Sequence, residues 1–113
     1  RIGIAGAPVT DWRLYDTIYT ERYMDIPARN VEGYKETCAV TKAGSLYGRL
    51  LLVHGMMDEN VHIKNSIDLI HALQKAGKQF DLMMYPGANH SVEGSHDLHH
   101  LRSLMTQFIL ENL

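Results

Sequence analysis

The sequence predicts an α/β fold of three mostly parallel strands with flanking helices, and three observations carry that prediction. Leu50 to Val53 is an unbroken apolar run, which a strand requires when helices cover both faces of its sheet and neither side meets water. Two further short apolar runs, Ile2 to Ala5 and Phe80 to Tyr85, alternate with helical patterns, the order expected of parallel strands joined by crossovers. A compact polar cluster, Asp58, Glu59, Asn60 and His62, follows the central run directly. That position is a strand's carboxyl end, the edge at which open α/β sheets bind ligands.

In chain order, Ile2 to Ala5 is the first strand, ended by Gly6, Ala7 and Pro8, with Pro8 unable to donate to a ladder. The sequence begins within this strand, without an initiator Met or a secretory leader, and reads as a piece of a longer chain. Partner strands from an upstream segment would cover the edge; left bare, it invites a homo-oligomer. Asp16 is placed to cap a short helix carrying Tyr19, Arg22 and Tyr23, which Pro27 closes. Asn30 caps a second short helix over Val31 to Thr37, and Thr41 to Leu46 forms a further helical turn before the central strand. Ile63, Ile67, Ile70 and Leu73 recur at helical spacing and predict a helix buried along that stripe, with Gly77 at its left-handed end. Phe80 to Tyr85 is the third strand, turned by Pro86 and Gly87. Leu98, Leu101, Leu104, Met105, Phe108 and Ile109 predict a final helix on the sheet, with Ser95 as its cap.

Composition narrows the function. With 113 residues the chain suffices for one core. Its 45% hydrophobic and 21% charged content is that of a folded domain, and no apolar run is long enough to span a bilayer. The net charge of -2 is dispersed, so nothing points to nucleic acid as a partner. Cys38 is alone and reads as a small buried hydrophobe. His96, His99 and His100 share one helical face, but no HExxH pattern or second cluster accompanies them, so no metal site and no cofactor is assigned.

Right-handed crossovers make the strands parallel and bring their carboxyl-terminal loops to one rim. Asp58 and His90, one helix and one strand apart, therefore meet there. A carboxylate that fixes an imidazole tautomer, leaving the other ring nitrogen to face a hydroxyl, is the acid–base half of a serine hydrolase. The order Asp then His fits a nucleophilic Ser placed before both. On the residues alone, Asp58 also reads as a turn cap and His90 as a surface residue, and Glu59 is a rival orienting carboxylate.

Three motifs in order, VTDWRLYDTIYTERYM from Val9, HGMMDENVH from His54 and ANHSV from Ala88, resemble the end of the catalytic domain in dipeptidyl peptidase IV-like enzymes of the prolyl oligopeptidase family. The resemblance implies a partial α/β-hydrolase fold, the C-terminal part of a peptidase domain whose missing upstream segment and β-propeller complete the enzyme. It implies peptide substrates, with removal of N-terminal dipeptides after a penultimate Pro or Ala, and a periplasmic, secreted or membrane-anchored parent. By the same resemblance Asp58 and His90 are catalytic. Val9, Trp12, Tyr15, Tyr19 and Val61 wall the pocket for the proline ring, and Asn60 hydrogen-bonds the substrate's backbone carbonyl. An aromatic-walled hollow suits a compact apolar ring. No Gly-x-Ser-x-Gly elbow surrounds Ser45, Ser66, Ser91, Ser95 or Ser103, so the resemblance puts the nucleophile roughly 20 residues before Arg1 and leaves the isolated chain inactive. The alternative is a non-catalytic structural or interaction module derived from the same fold.

Overall fold

A computed structural model describes residues 1–113. The strands are β1 (Ile2–Gly6), β2 (Arg49–Gly55) and β3 (Asp81–Tyr85), and the helices are α1 (Thr17–Met24), α2 (Val31–Glu36), α3 (Lys64–Lys75) and α4 (Ser95–Asn112). Two 3-10 turns, Trp12–Leu14 and Val40–Ser45, lie between β1 and β2. The three strands pair in the order β1-β2-β3 and are parallel throughout. Their register sets Gly6 beside Val53 and Gly55 beside Tyr85, so the strands end on one rim.

Strand alternation explains the continuous apolar run in β2. Leu51 and Val53 join Tyr85, Ala88 and Phe108 on the face covered by α4, with Ile2, Ile4, Leu101, Leu104 and Met105 packed around them. Leu50 and Leu52 belong to the opposite layer, with Leu69 and Leu73 of α3 and Ala43 of the second 3-10 turn. From Leu50 to Val53 this strand feeds two cores and leaves no position for a polar side chain. The alternation runs on to the rim, carrying His54 toward the α3 layer and Gly55 toward the α4 layer.

Several local expectations are met by named contacts. The Asp16 carboxylate accepts from the Ile18 and Tyr19 amides at 2.8 and 3.2 Å, and the Asn30 side chain accepts from Gly33 N–H at 3.1 Å, so both act as helix caps. Cys38 is buried, as a small hydrophobe would be.

Four expectations need correction. β1 runs through Gly6 and is broken at Ala7, whose φ of 44° lies in the left-handed region, one residue before Pro8. β3 begins at Asp81, not Phe80: Phe80 packs in the α3 layer while Asp81 forms a 2.8 Å ion pair with Arg49 on β2. Ser95 does not cap α4; it is the first helical residue, and Gly94, with φ of 90°, takes the cap position. The buried face of α3 is also rotated from the expected stripe. Asn65, Ser66, Leu69 and Leu73 are buried whereas Ile67 is 51% exposed, because the two polar residues are held by hydrogen bonds that the apolar period does not register.

Candidate active site

The turn after β2 is built around the Asp58 side chain. Its Oδ1 accepts from the amides of Asn60 at 2.8 Å and Val61 at 2.7 Å, which folds the turn inward and leaves the carboxylate with no solvent exposure. Its Oδ2 lies 2.9 Å from Nδ1 of His90. A carboxylate oxygen only accepts, so Nδ1 carries the proton, and Nε2 of this half-exposed imidazole is left without a partner. Burial pushes the Asp58 carboxyl up, but the hydrogen bonds from His90, Val61 and Asn60 outweigh it and hold its pKa below the ordinary 3.8.

The sign of this shift sets a pH dependence. With the folded value below the unfolded one, Asp58 contributes stability that is present above the unfolded pKa and is lost as pH falls through the folded one. Urea unfolding should therefore show a steeper loss of stability below about pH 4 in the native protein than in Asp58→Asn. Identical acid slopes would refute the assignment.

His90 is held against β2 by its own turn. Met56 N–H donates to Tyr85 carbonyl at 2.9 Å and Met57 N–H to Ala88 carbonyl at 3.0 Å, so the turns after β2 and β3 are joined main chain to main chain. A cleft of about 300 Å³ opens beside His90, lined by Gly87, Ala88, Asn89, Ser91 and Glu93. Glu59, the rival carboxylate, is exposed and makes no hydrogen bond to His90. The Asp58 carboxylate is drawn inward by two amides, and its neighbour consequently faces out.

The loop after β1 brings aromatic residues to the same rim. Trp12 meets Tyr15 edge-on with ring centroids 5.8 Å apart and stacks on Tyr19 at 6.3 Å, while Tyr15 and Tyr19 meet edge-on at 5.5 Å. Tyr23 extends the cluster from the next turn of α1. Tyr15 Oη donates to Asn60 Oδ1 at 2.6 Å, tying the cluster to the Asp58 turn. With its oxygen engaged, the Asn60 amide presents its NH₂ as the free donor. Val9 is partly buried at the start of this loop, and Val61 is buried beneath the Asp58 turn. Asp11 starts the 3-10 turn by accepting from Arg13 N–H, and its side-chain bonds to Arg13 hold its carboxyl below the usual range despite burial.

Four residues not singled out from the sequence secure these loops. Asn65, fully buried at the start of α3, accepts through Oδ1 from Thr10 N–H at 3.1 Å and donates through Nδ2 to His62 carbonyl at 3.0 Å. Thr10 Oγ1 donates to the Asn65 carbonyl at 2.6 Å. His54 and Ser66 form the other buried pair, with Nδ1 and Oγ 2.7 Å apart. The available signal was polarity in the wrong place: His54 closes an apolar strand, and Asn65 and Ser66 sit where the helix turns inward. His100, one of the three clustered histidines, is engaged by Tyr85 Oη at 2.8 Å, while His96 and His99 are exposed.

The rim of the parallel sheet thus holds a buried carboxylate against a half-exposed imidazole, an arrangement that fixes the imidazole in one tautomer and leaves its other nitrogen open. The chain belongs to the prolyl oligopeptidase family, whose model matches residues 1–113. It is 50% identical over 95 residues to a probable dipeptidyl-aminopeptidase B of Grosmannia clavigera, covering 81% of this chain and 10% of that protein. Human dipeptidyl peptidase 8 is 43% identical, with 100% of this chain and 13% of that protein covered. The crystal structure of Porphyromonas gingivalis dipeptidyl peptidase 4 superposes with a TM-score of 0.97 at 44% identity, over 99% of this chain and 16% of that one. The chain thus spans less than a fifth of the length of these relatives.

Proposed function

We propose that this chain is the C-terminal part of the peptidase domain of a serine exopeptidase that releases N-terminal dipeptides after a penultimate Pro or Ala. The observation that carries the reading is the 2.9 Å contact between buried Asp58 and half-exposed His90. In this mechanism Asp58 holds His90 in the Nδ1–H tautomer. Nε2 removes the proton of a Ser supplied by an upstream segment and then returns it to the leaving amine. Val9, Trp12, Tyr15, Tyr19 and Val61 receive the proline ring, and the Asn60 NH₂ donates to the substrate's backbone carbonyl. The family likeness supports these roles, and it supports a periplasmic, secreted or membrane-anchored parent with a β-propeller.

The test is hydrolysis of Gly-Pro and Ala-Pro amides by the full-length protein and by the 113-residue chain alone. Turnover is expected only from the former, because no serine here lies in a Gly-x-Ser-x-Gly elbow. A folded full-length protein inert toward these amides would favour the non-catalytic module. Specificity gives a sharper check. Tyr19 is 51% exposed, so its ring is available to a ligand and its truncation removes little core. Tyr19→Ala in the full-length protein should lower kcat/KM for Pro substrates far more than for Gly substrates, with little change in melting temperature. Equal losses on both substrates with a lowered melt would return Tyr19 to packing.

A further inference from the structure

His54 is the last side chain of β2 on the α3 face and is 1% exposed. Its Nε2 lies 2.8 Å from the Val61 carbonyl, and its Nδ1 lies 2.7 Å from Ser66 Oγ. A carbonyl only accepts, so Nε2 bears the proton; Nδ1 then accepts from the Ser66 hydroxyl, which is free to rotate its proton inward. Both ring nitrogens of the buried imidazole are thereby satisfied. The same Nε2 lies 3.3 Å from Asp58 Oδ2, the oxygen that meets His90.

Val61 is thereby gripped on two sides. Its N–H donates to Asp58 Oδ1 at 2.7 Å and its carbonyl receives the His54 proton. The turn that aims Asp58 at His90 hangs on a buried ring anchored by Ser66 on α3. We infer that His54, held as its Nε2–H tautomer by the Val61 carbonyl and anchored on α3 by Ser66, is a positioning residue that sets the Asp58 carboxylate for His90. This rests on the acid–base role proposed above and extends it to two buried residues that touch neither substrate nor nucleophile. A carboxylate displaced by a fraction of an ångström still binds substrate but orients the imidazole poorly, so the effect belongs in kcat rather than KM.

Two substitutions in the full-length protein separate positioning from packing. The amide of His54→Gln reaches the place of Nε2 and can still donate to Val61, whereas that of His54→Asn stops near Nδ1. His54→Asn should lower kcat by about 10²-fold with KM little changed, and His54→Gln should recover most of that loss. Labelling of the serine by a fluorophosphonate should fall and recover in parallel. Equal kcat for Asn and Gln, or a loss confined to KM or to the melting temperature, would overturn the inference. If His54→Asn does not fold, Ser66→Ala decides: without the bond at Nδ1 the ring loses its anchor on α3 and kcat should fall with KM little changed, and an unchanged kcat overturns the role. A wild-type protein that labels but does not cleave Gly-Pro amides would refute the proposed substrate while leaving the labelling comparison to judge His54. A wild-type protein that does not label at all would remove both.

Discussion

Asp58→Asn should lower turnover of Gly-Pro amides by roughly 10³ to 10⁴-fold in the full-length protein while leaving it folded. The local geometry separates these two outcomes. An asparagine oxygen in place of Oδ1 still accepts from the Asn60 and Val61 amides, so the turn keeps its shape. Its nitrogen then replaces Oδ2, where it meets Nδ1 of His90 at 2.9 Å and Nε2 of His54 at 3.3 Å. A donor now faces the Nδ1–H of His90 and lies beside the Nε2–H of His54. His90 can satisfy its ring only by moving its proton to Nε2, the nitrogen that receives the serine proton in the proposed mechanism. Rotating the amide helps neither side, since it turns the nitrogen toward two main-chain N–H groups. Glu59→Gln, altering an exposed carboxylate, should change turnover little. Kinetics on each variant, with circular dichroism to confirm folding, decides between them. A nearly fully active Asp58→Asn would end the assignment of Asp58, and a large loss in Glu59→Gln would transfer the role to its neighbour.

The sequence carried the layered architecture because β2 is apolar at every position from Leu50 to Val53 and feeds the two cores that α3 and α4 complete. It also placed Asp58 and His90 on one rim, since parallel strands leave few alternatives once the crossover hand is fixed. Less visible were features that depend on pairing rather than period. Asn65 and Ser66 displaced Ile67 from the buried face of α3 because each satisfies a partner far away in sequence, Thr10 in one case and His54 in the other. No helical periodicity encodes such bonds. Ser95 has the chemistry of a cap for α4, whereas Gly94, one residue earlier, has the conformation, with φ of 90°. The aromatic cluster was legible in composition, but the bond from Tyr15 to Asn60 that fastens it to the Asp58 turn needed the fold.

Gly55→Ala is expected to damage stability and turnover together. Gly55 ends β2 on the face toward Ala88, where the two rim turns lie closest, and its amide neighbour Met56 bonds the Tyr85 carbonyl. A methyl group at Gly55 would fall 2.4 Å from the carbonyl oxygens of both Ala88 and Asn89. Both are main-chain atoms, and the Ala88 oxygen is held by the bond from Met57 N–H, so no side-chain rotation relieves the overlap. The turn carrying His90 must shift away from the turn carrying Asp58. Overpacking of this kind costs about 1–3 kcal/mol, and separating the imidazole from its carboxylate should lower kcat by about 10²-fold. Gly87→Ala supplies the control within the same turn, because a methyl group there meets nothing within 4 Å. Its stability should stay within about 0.5 kcal/mol of wild type. Urea unfolding and Gly-Pro amide kinetics on both variants of the full-length protein test the pair. If Gly55→Ala matches Gly87→Ala in stability and rate, the close approach at Gly55 does not hold the Asp58 and His90 turns in register.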